Sequence, residues 1–152
     1  MRSIIISDTS CLILLEKIGE LLLVHELFGD VTITPEVAVE FGAEIPDWCK
    51  IQSPENKTYQ KILETSLDKG EASAIALAIE QIDCLLIIDD LKGRKYAEQL
   101  GINITGTLGI LVDAKQKGLI NSIKPSLEKI KMTNFRLTKA LEDRALERAG
   151  EL

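Results

Sequence analysis

Short apolar runs and helical stripes alternate along this chain. Ile4-Ile5-Ile6 is a β-branched run too short for a helix and reads as a buried strand. Asp8-Thr9-Ser10 then supplies N-cap chemistry, and Cys11 to Glu16 begins an apolar helix that Gly19 breaks. Leu21 to Phe28 predicts a second helical piece, and Val31-Thr32-Ile33 a second strand. Thr34-Pro35-Glu36 is a strong helix start, with a Thr cap, Pro at the first helical position and an acid in the first turn. That helix carries Val37, Ala38 and Glu40. Pro46 and Pro54 flank a loop containing Trp48, with Ile51 as a short strand candidate.

The second half repeats the alternation. Thr58 to Leu67 predicts a helix, and Ala72 to Ile82 a clean Ala/Ile/Leu helix after the restart at Asp68-Lys69-Gly70-Glu71. Leu85-Leu86-Ile87-Ile88 is continuously apolar, as a strand covered on both faces must be. Leu91 to Leu100 is helical, Ile102 to Thr105 is a last strand, and Leu108 to Lys117 a helix closed by Gly118. Pro125 to Lys131 and Thr138 to Ala149 are two further helices. Strands at 4–6, 31–33, 85–88 and 102–105 separated by helices predict an α/β fold. It is a three-layer α/β/α arrangement with a central, mainly parallel sheet and right-handed crossovers. The expected organisation is one domain over 1–152, with 119–152 a helical C-terminal extension.

Composition narrows the chemistry. The three cysteines, Cys11, Cys49 and Cys84, form no CxxC pair, and the single His25 cannot complete a zinc site with them. His25 lies among Leu21, Leu22, Leu23 and Leu27, so a His-based nucleophilic mechanism is not expected. The net charge is −6. Residues 1–76 hold 6 basic against 13 acidic groups, and residues 77–152 hold 12 against 11. Such a chain does not coat nucleic acid through overall charge. It can still act on nucleic acid if the acids form a metal site with bases beside it. No stretch approaches a transmembrane length. The Met1-Arg2-Ser3 start runs into an apolar segment that Asp8 cuts too short for a leader, so a cytoplasmic location is expected.

In open parallel sheets ligands bind at the carboxyl ends of the strands. The first strand ends in Ser7-Asp8 and the third in Asp89-Asp90. Glu40, on the helix after the second strand, and Glu71, opening the Ala-rich helix, can join them. Each has a structural alternative: Asp8 and Asp90 can cap helices, Glu71 has capping-box spacing to Asp68, and Glu40 can be a solvated helix residue. Converging carboxylates repel, and hard oxygen donors suit Mg²⁺ or Mn²⁺ rather than zinc. The Thr9 and Ser10 hydroxyls can orient a ligand. Lys92, Arg94 and Lys95, just past Asp90, can hold a substrate phosphate or form a solvated helix face.

These residues resemble a known family. Ile-Ser-Asp8-Thr-Ser10, the helix Pro35-Glu-Val-Ala-Val-Glu40, the segment Gly70-Glu71-Ala-Ser-Ala-Ile-Ala-Leu-Ala78 and the strand Leu-Ile-Ile-Asp-Asp90 are similar, in that order, to the PIN domain. The likeness spans roughly residues 3 to 118. Gly106-Thr-Leu-Gly109 and the tail Ala149-Gly150-Glu151 are similar to a prokaryotic PIN subfamily found among toxin–antitoxin-like genes. The resemblance implies a Mg²⁺- or Mn²⁺-dependent endoribonuclease. It also implies a homodimer and the toxin of a type II pair inhibited by a small antitoxin. Metal ligation falls on Asp8, Glu40, Glu71 and Asp90. The family's third acid is usually Asp where this chain has Glu71. Its fourth is more often preceded by Thr and another residue, where Ile88 and Asp89 stand here. Asp89 therefore competes with Asp90, which is favoured because adjacent strand-end residues point opposite ways.

Two other functions compete. A PIN-like module without turnover would bind RNA or protein. The scarcity of aromatics, three Phe, two Tyr and one Trp, weighs against a stacking platform. A phospho-acceptor receiver domain would need an acidic pair after the first strand and a Lys after the last, and this chain has neither arrangement.

Overall fold

The computed structural model describes residues 3–152; the Met1-Arg2 start of the leader reading lies outside them. The first half runs β1 (Ile4–Ser7), α1 (Thr9–Lys17), α2 (Leu22–Phe28), β2 (Val31–Ile33), α3 (Pro35–Phe41), β3 (Cys49–Ile51) and α4 (Lys57–Leu63). The second runs α5 (Lys69–Ile79), β4 (Cys84–Ile87), α6 (Leu91–Gln99), β5 (Asn103–Thr105), α7 (Thr107–Gln116), α8 (Lys124–Lys131) and α9 (Lys139–Arg148).

The strands form one sheet in the order β3-β2-β1-β4-β5, with every pairing parallel. From β1 the chain moves outward to β2 and β3, then returns through α4 and α5 to lay β4 on the other side of β1. The direction of winding thus reverses between β1 and β4, which opens a crevice at their carboxyl ends. The register sets Ser7 beside Ile87, so Asp8 and Ile88 leave the sheet side by side.

The strands' apolar content divides between two faces. Ile5, Val31, Ile33 and Ile87 pack with α1, α2, α7 and α8. Ile6, Leu86 and Ile88 pack against the Ala-rich α5. Alternation along each strand supplies both cores, because side chains on a strand have period two. Helix α5 is buried from Gly70 to Ala78, and its small alanines bring it close to the sheet.

Some boundaries differ from the periodicity. Helix α5 begins at Lys69, because the Asp68–Glu71 capping box starts it three residues before the apolar stripe. Helix α4 stops at Leu63, and Glu64 to Leu67, the end of the expected helix, form turns. Ile51 does belong to a strand, the edge strand β3.

The region after α7 returns to the first face. Ile123, Leu127, Ile130, Ala145 and Ala149 enter the core on the α1 side of the sheet. Glu151 secures the tail. Its carboxylate accepts from the Ser122 hydroxyl, from the Ile123 N–H at 2.8 Å and from Lys115 Nζ at 3.3 Å.

Candidate active site

Asp8 stands where β1 gives way to α1. Its Oδ1 accepts the Cys11 N–H at 3.2 Å, so the expected helix cap is present. That leaves Oδ2, which is buried and has no hydrogen-bond partner among the described residues. The side chain is fully covered. Burial pushes its carboxyl well above the ordinary carboxylate range, and the charges of Asp89, Glu71 and Asp68 push the same way, against the Cys11 N–H. A buried carboxylate oxygen with no donor is costly. A cap alone does not explain why this one is kept.

Glu71 also has a double role. It closes the capping box: its N–H donates to Asp68 Oδ1 at 2.9 Å, and the Asp68 N–H reaches its Oε1 at 3.4 Å. Burial raises its carboxyl to about 7, helped by the charges of Asp68, Asp90 and Glu40 and opposed by the Asp68 N–H. Those causes locate the acids. Asp90 and Glu40 lie within electrostatic reach of Glu71, and Glu71 lies within reach of Asp8.

Glu40 is brought in by Thr9, whose hydroxyl donates to its Oε1 at 2.6 Å. The carboxylate rests against the first turn of α5, and Gly70 makes room for it. A Cβ at Gly70 would stand 2.1 Å from Glu40 Oε1 and 3.0 Å from Thr9 Oγ1. The start of α3 is tied to the same turn. Thr34, its N-cap, shares a 2.6 Å hydrogen bond with Ser73, and Ser73 donates to the Gly70 carbonyl at 2.8 Å.

The two acids after β4 have different surroundings. Asp89 accepts the Thr107 N–H at 2.9 Å and the Thr107 hydroxyl at 2.6 Å. Thr107 has donated its only hydroxyl proton, so the buried Cys11 thiol, 3.1 Å away, donates to it. Gly106 permits this closeness, since a Cβ there would meet Asp89 Oδ1 at 2.4 Å. Asp90 is exposed and caps α6, accepting the Gly93 N–H at 2.9 Å through Oδ2. The charge of Asp89 acts on Asp8, and that of Asp90 on Glu71.

The basic triplet is partly engaged within the chain. Arg94 donates to the Ile88 carbonyl at 2.8 Å and so braces the turn that carries Asp89. Lys92 reaches the Ser66 carbonyl at 3.3 Å, and Lys95 is exposed. Ser10 is exposed at the start of α1. His25 donates from Nδ1 to the Gly29 carbonyl at 3.0 Å and stacks on Trp48, with centroids 5.4 Å apart. The three cysteines are free thiols.

All the predicted acids therefore gather around the crevice between β1 and β4. Among the described residues, no three His, Cys, Asp or Glu side chains stand close enough to form a finished metal-ligand set. Glu40 is turned to Thr9, and Glu71 to Asp68. The donors are nonetheless of the right kind for a hard dication: carboxylate oxygens that raise one another's proton affinity, one of them buried and unpartnered.

A PIN-domain family model matches residues 4–151. The chain belongs to the PIN-domain family. The match runs through α8 and α9, beyond residue 118, where the sequence likeness fades. A search of the curated proteins found no match. PIN domains are generally nucleases and typically use divalent metal ions, and this PIN domain has the nuclease-type fold. No helix among the described residues is long and apolar enough to cross a membrane.

Proposed function

We propose that this PIN domain is a divalent-cation-dependent endoribonuclease using Mg²⁺ or Mn²⁺. The observation that carries the reading is Asp8 at the switch point: fully buried, with one carboxylate oxygen unpartnered and other carboxylates within electrostatic reach. Asp8, Glu40, Glu71 and Asp90 would hold the ion, with Asp89 beside them. A bound dication supplies positive charge at a phosphodiester and Lewis acidity toward water. The chain's own groups prepare that chemistry. Thr9 aims the Glu40 carboxylate, and Asp68 holds Glu71 in place. In the metal-free protein the Glu71 carboxyl is raised to about 7, so an ion held there near neutrality would displace a proton. Asp89 is fixed by its two hydrogen bonds from Thr107. Membership of a type II toxin–antitoxin pair, inhibition by a small antitoxin and a homodimeric state are part of the proposal.

A second reading is supported by the internal bonds of Glu40 and Glu71, which suit a PIN-like module that binds RNA or protein without turnover. A cleavage assay separates the two. Single-stranded and structured RNA are incubated with the protein in Mn²⁺, in Mg²⁺ and in chelator. Cleavage that is lost in chelator and in Asp8→Asn supports the nuclease. Cleavage equal in all conditions contradicts it, and Mn²⁺ uptake without cleavage of any RNA supports the binding module.

A further inference from the structure

Beside the carboxylate edge lies a cleft of about 300 Å³ that the proposed chemistry does not use. Its far wall is Phe135 with Asn134, from the connection between α8 and α9. Its near wall is α1, with Ser10 and Lys17 on either side of Ile13 and Leu14. Asp89 closes the end toward the acids, so the cleft and the site share a residue.

The cleft's parts match those of a nucleotide. Phe135 is half-buried against the core and held in place locally: its N–H donates to Thr133 Oγ1 at 3.2 Å, and that hydroxyl donates to the Ile130 carbonyl. An aromatic face fixed at a cleft is a stacking surface for a base, and stacking tolerates any base. Asn134 is exposed, and no intrachain hydrogen bond among the described residues engages its amide, which can therefore donate to and accept from a base edge. Lys17 ends α1, is exposed and makes no ion pair among the described residues. In a chain of net charge −6, an unengaged cation at this cleft complements a phosphate, while Arg94 and Lys92 are bonded to backbone carbonyls elsewhere.

We infer that this cleft is a subsite for one nucleotide of single-stranded RNA adjacent to the phosphate that is cut. Phe135 stacks on its base, Asn134 contacts the base edge, and Lys17 with Ser10 holds its phosphate. The inference rests on the ribonuclease reading for its substrate. It adds a specificity element that lies outside the carboxylates, partly in the segment after residue 118.

The test is binding of short fluorescent homopolymeric oligoribonucleotides in chelator, so that affinity is measured without cleavage. Phe135→Leu keeps the apolar packing and removes the aromatic face; it should weaken binding about tenfold, while Phe135→Tyr should bind like the wild type. Asn134→Ala should alter the order of preference among the four homopolymers. Lys17→Ala should reduce the slope of log affinity against log salt by about one. Equal affinity for Phe135→Leu and Phe135→Tyr, both matching the wild type, overturns the subsite. If the wild type also cleaves RNA, the nuclease reading survives that result. Aromatic-dependent binding by a protein that cuts no RNA keeps the subsite and removes the nuclease. A wild type that binds no RNA overturns the subsite, and the cleavage assay in Mn²⁺ then decides the nuclease reading by itself.

Discussion

Asp8 and Glu151 are both carboxylates largely removed from water, and their surroundings treat them in opposite ways. Asp8 is fully covered, has one unpartnered oxygen among the described residues and feels the charges of Asp89, Glu71 and Asp68. Glu151, with a side chain 9% exposed, receives Ser122, the Ile123 N–H and Lys115. Burial raises the carboxyls of both. At Glu151 the three donors outweigh it and hold the group below its ordinary value, whereas at Asp8 the neighbouring charges add to it. A carboxylate whose oxygens are all answered explains itself as structure. One left unanswered beside like charges lowers the stability of the fold, a cost that the proposed cation would offset.

The largest effect that would break this contrast belongs to Asp8. Asp8→Asn should lower cleavage roughly a hundredfold or more. Its amide oxygen still caps α1 and the change removes a buried like charge, so the melting temperature in chelator should not fall. A variant that unfolds instead would make Asp8 a structural residue like Glu151. Glu151→Ala should do the reverse. It leaves the Ile123 N–H without its acceptor and Lys115 with only the Ala149 carbonyl, and thermal or denaturant unfolding should show a loss of about 1–3 kcal/mol. Cleavage measured below the transition should be unchanged.

Gly70→Ala is a subtler probe. The new Cβ would displace the flexible end of Glu40 and break its bond to Thr9. Backbone is not the obstacle, so stability should change by less than about 1 kcal/mol. Cleavage should drop about tenfold, and full activity would remove Glu40 from the site. The smallest effect is a pair of opposite pH dependences. Glu71 has its carboxyl raised from 4.5 to about 7, so the folded form loses stability as pH rises through that interval. In chelator, Glu71→Gln should therefore gain on the wild type between those values. Glu151 is lowered, so its contribution is present above 4.5 and fades as pH falls through its folded value. Glu151→Gln should approach the wild type only at acid pH. Melting curves against pH check both signs.

Much of the fold was legible because its strands are short, continuously apolar runs punctuated by caps. Thr34-Pro35 and the Asp68–Glu71 box mark helix starts by local chemistry, and the structure uses both. The acids could be assigned to one edge because parallel topology sends every strand end the same way. Their individual bonds could not be read. Asp89's bond to Thr107 spans 18 residues, and Glu151's bonds to Lys115 and Ser122 span 36 and 29. No local pattern encodes such pairings. Gly70 and Gly106 read as a helix start and a turn, yet their missing side chains matter for what they let approach. The carbonyls that Lys92 and Arg94 reach, Ser66 and Ile88, lie 26 and 6 residues away and are not marked by any local pattern.

The central claim is that the carboxylates around Asp8 form a divalent-cation site. Calorimetric titration of Mn²⁺ into the metal-free protein at neutral pH tests it without reference to any substrate. The wild type and Glu151→Gln should take up the ion saturably with equal affinity, and Asp8→Asn should bind it at least about tenfold more weakly. Equal uptake by wild type and Asp8→Asn, or no uptake by the wild type at millimolar Mn²⁺, would contradict the account.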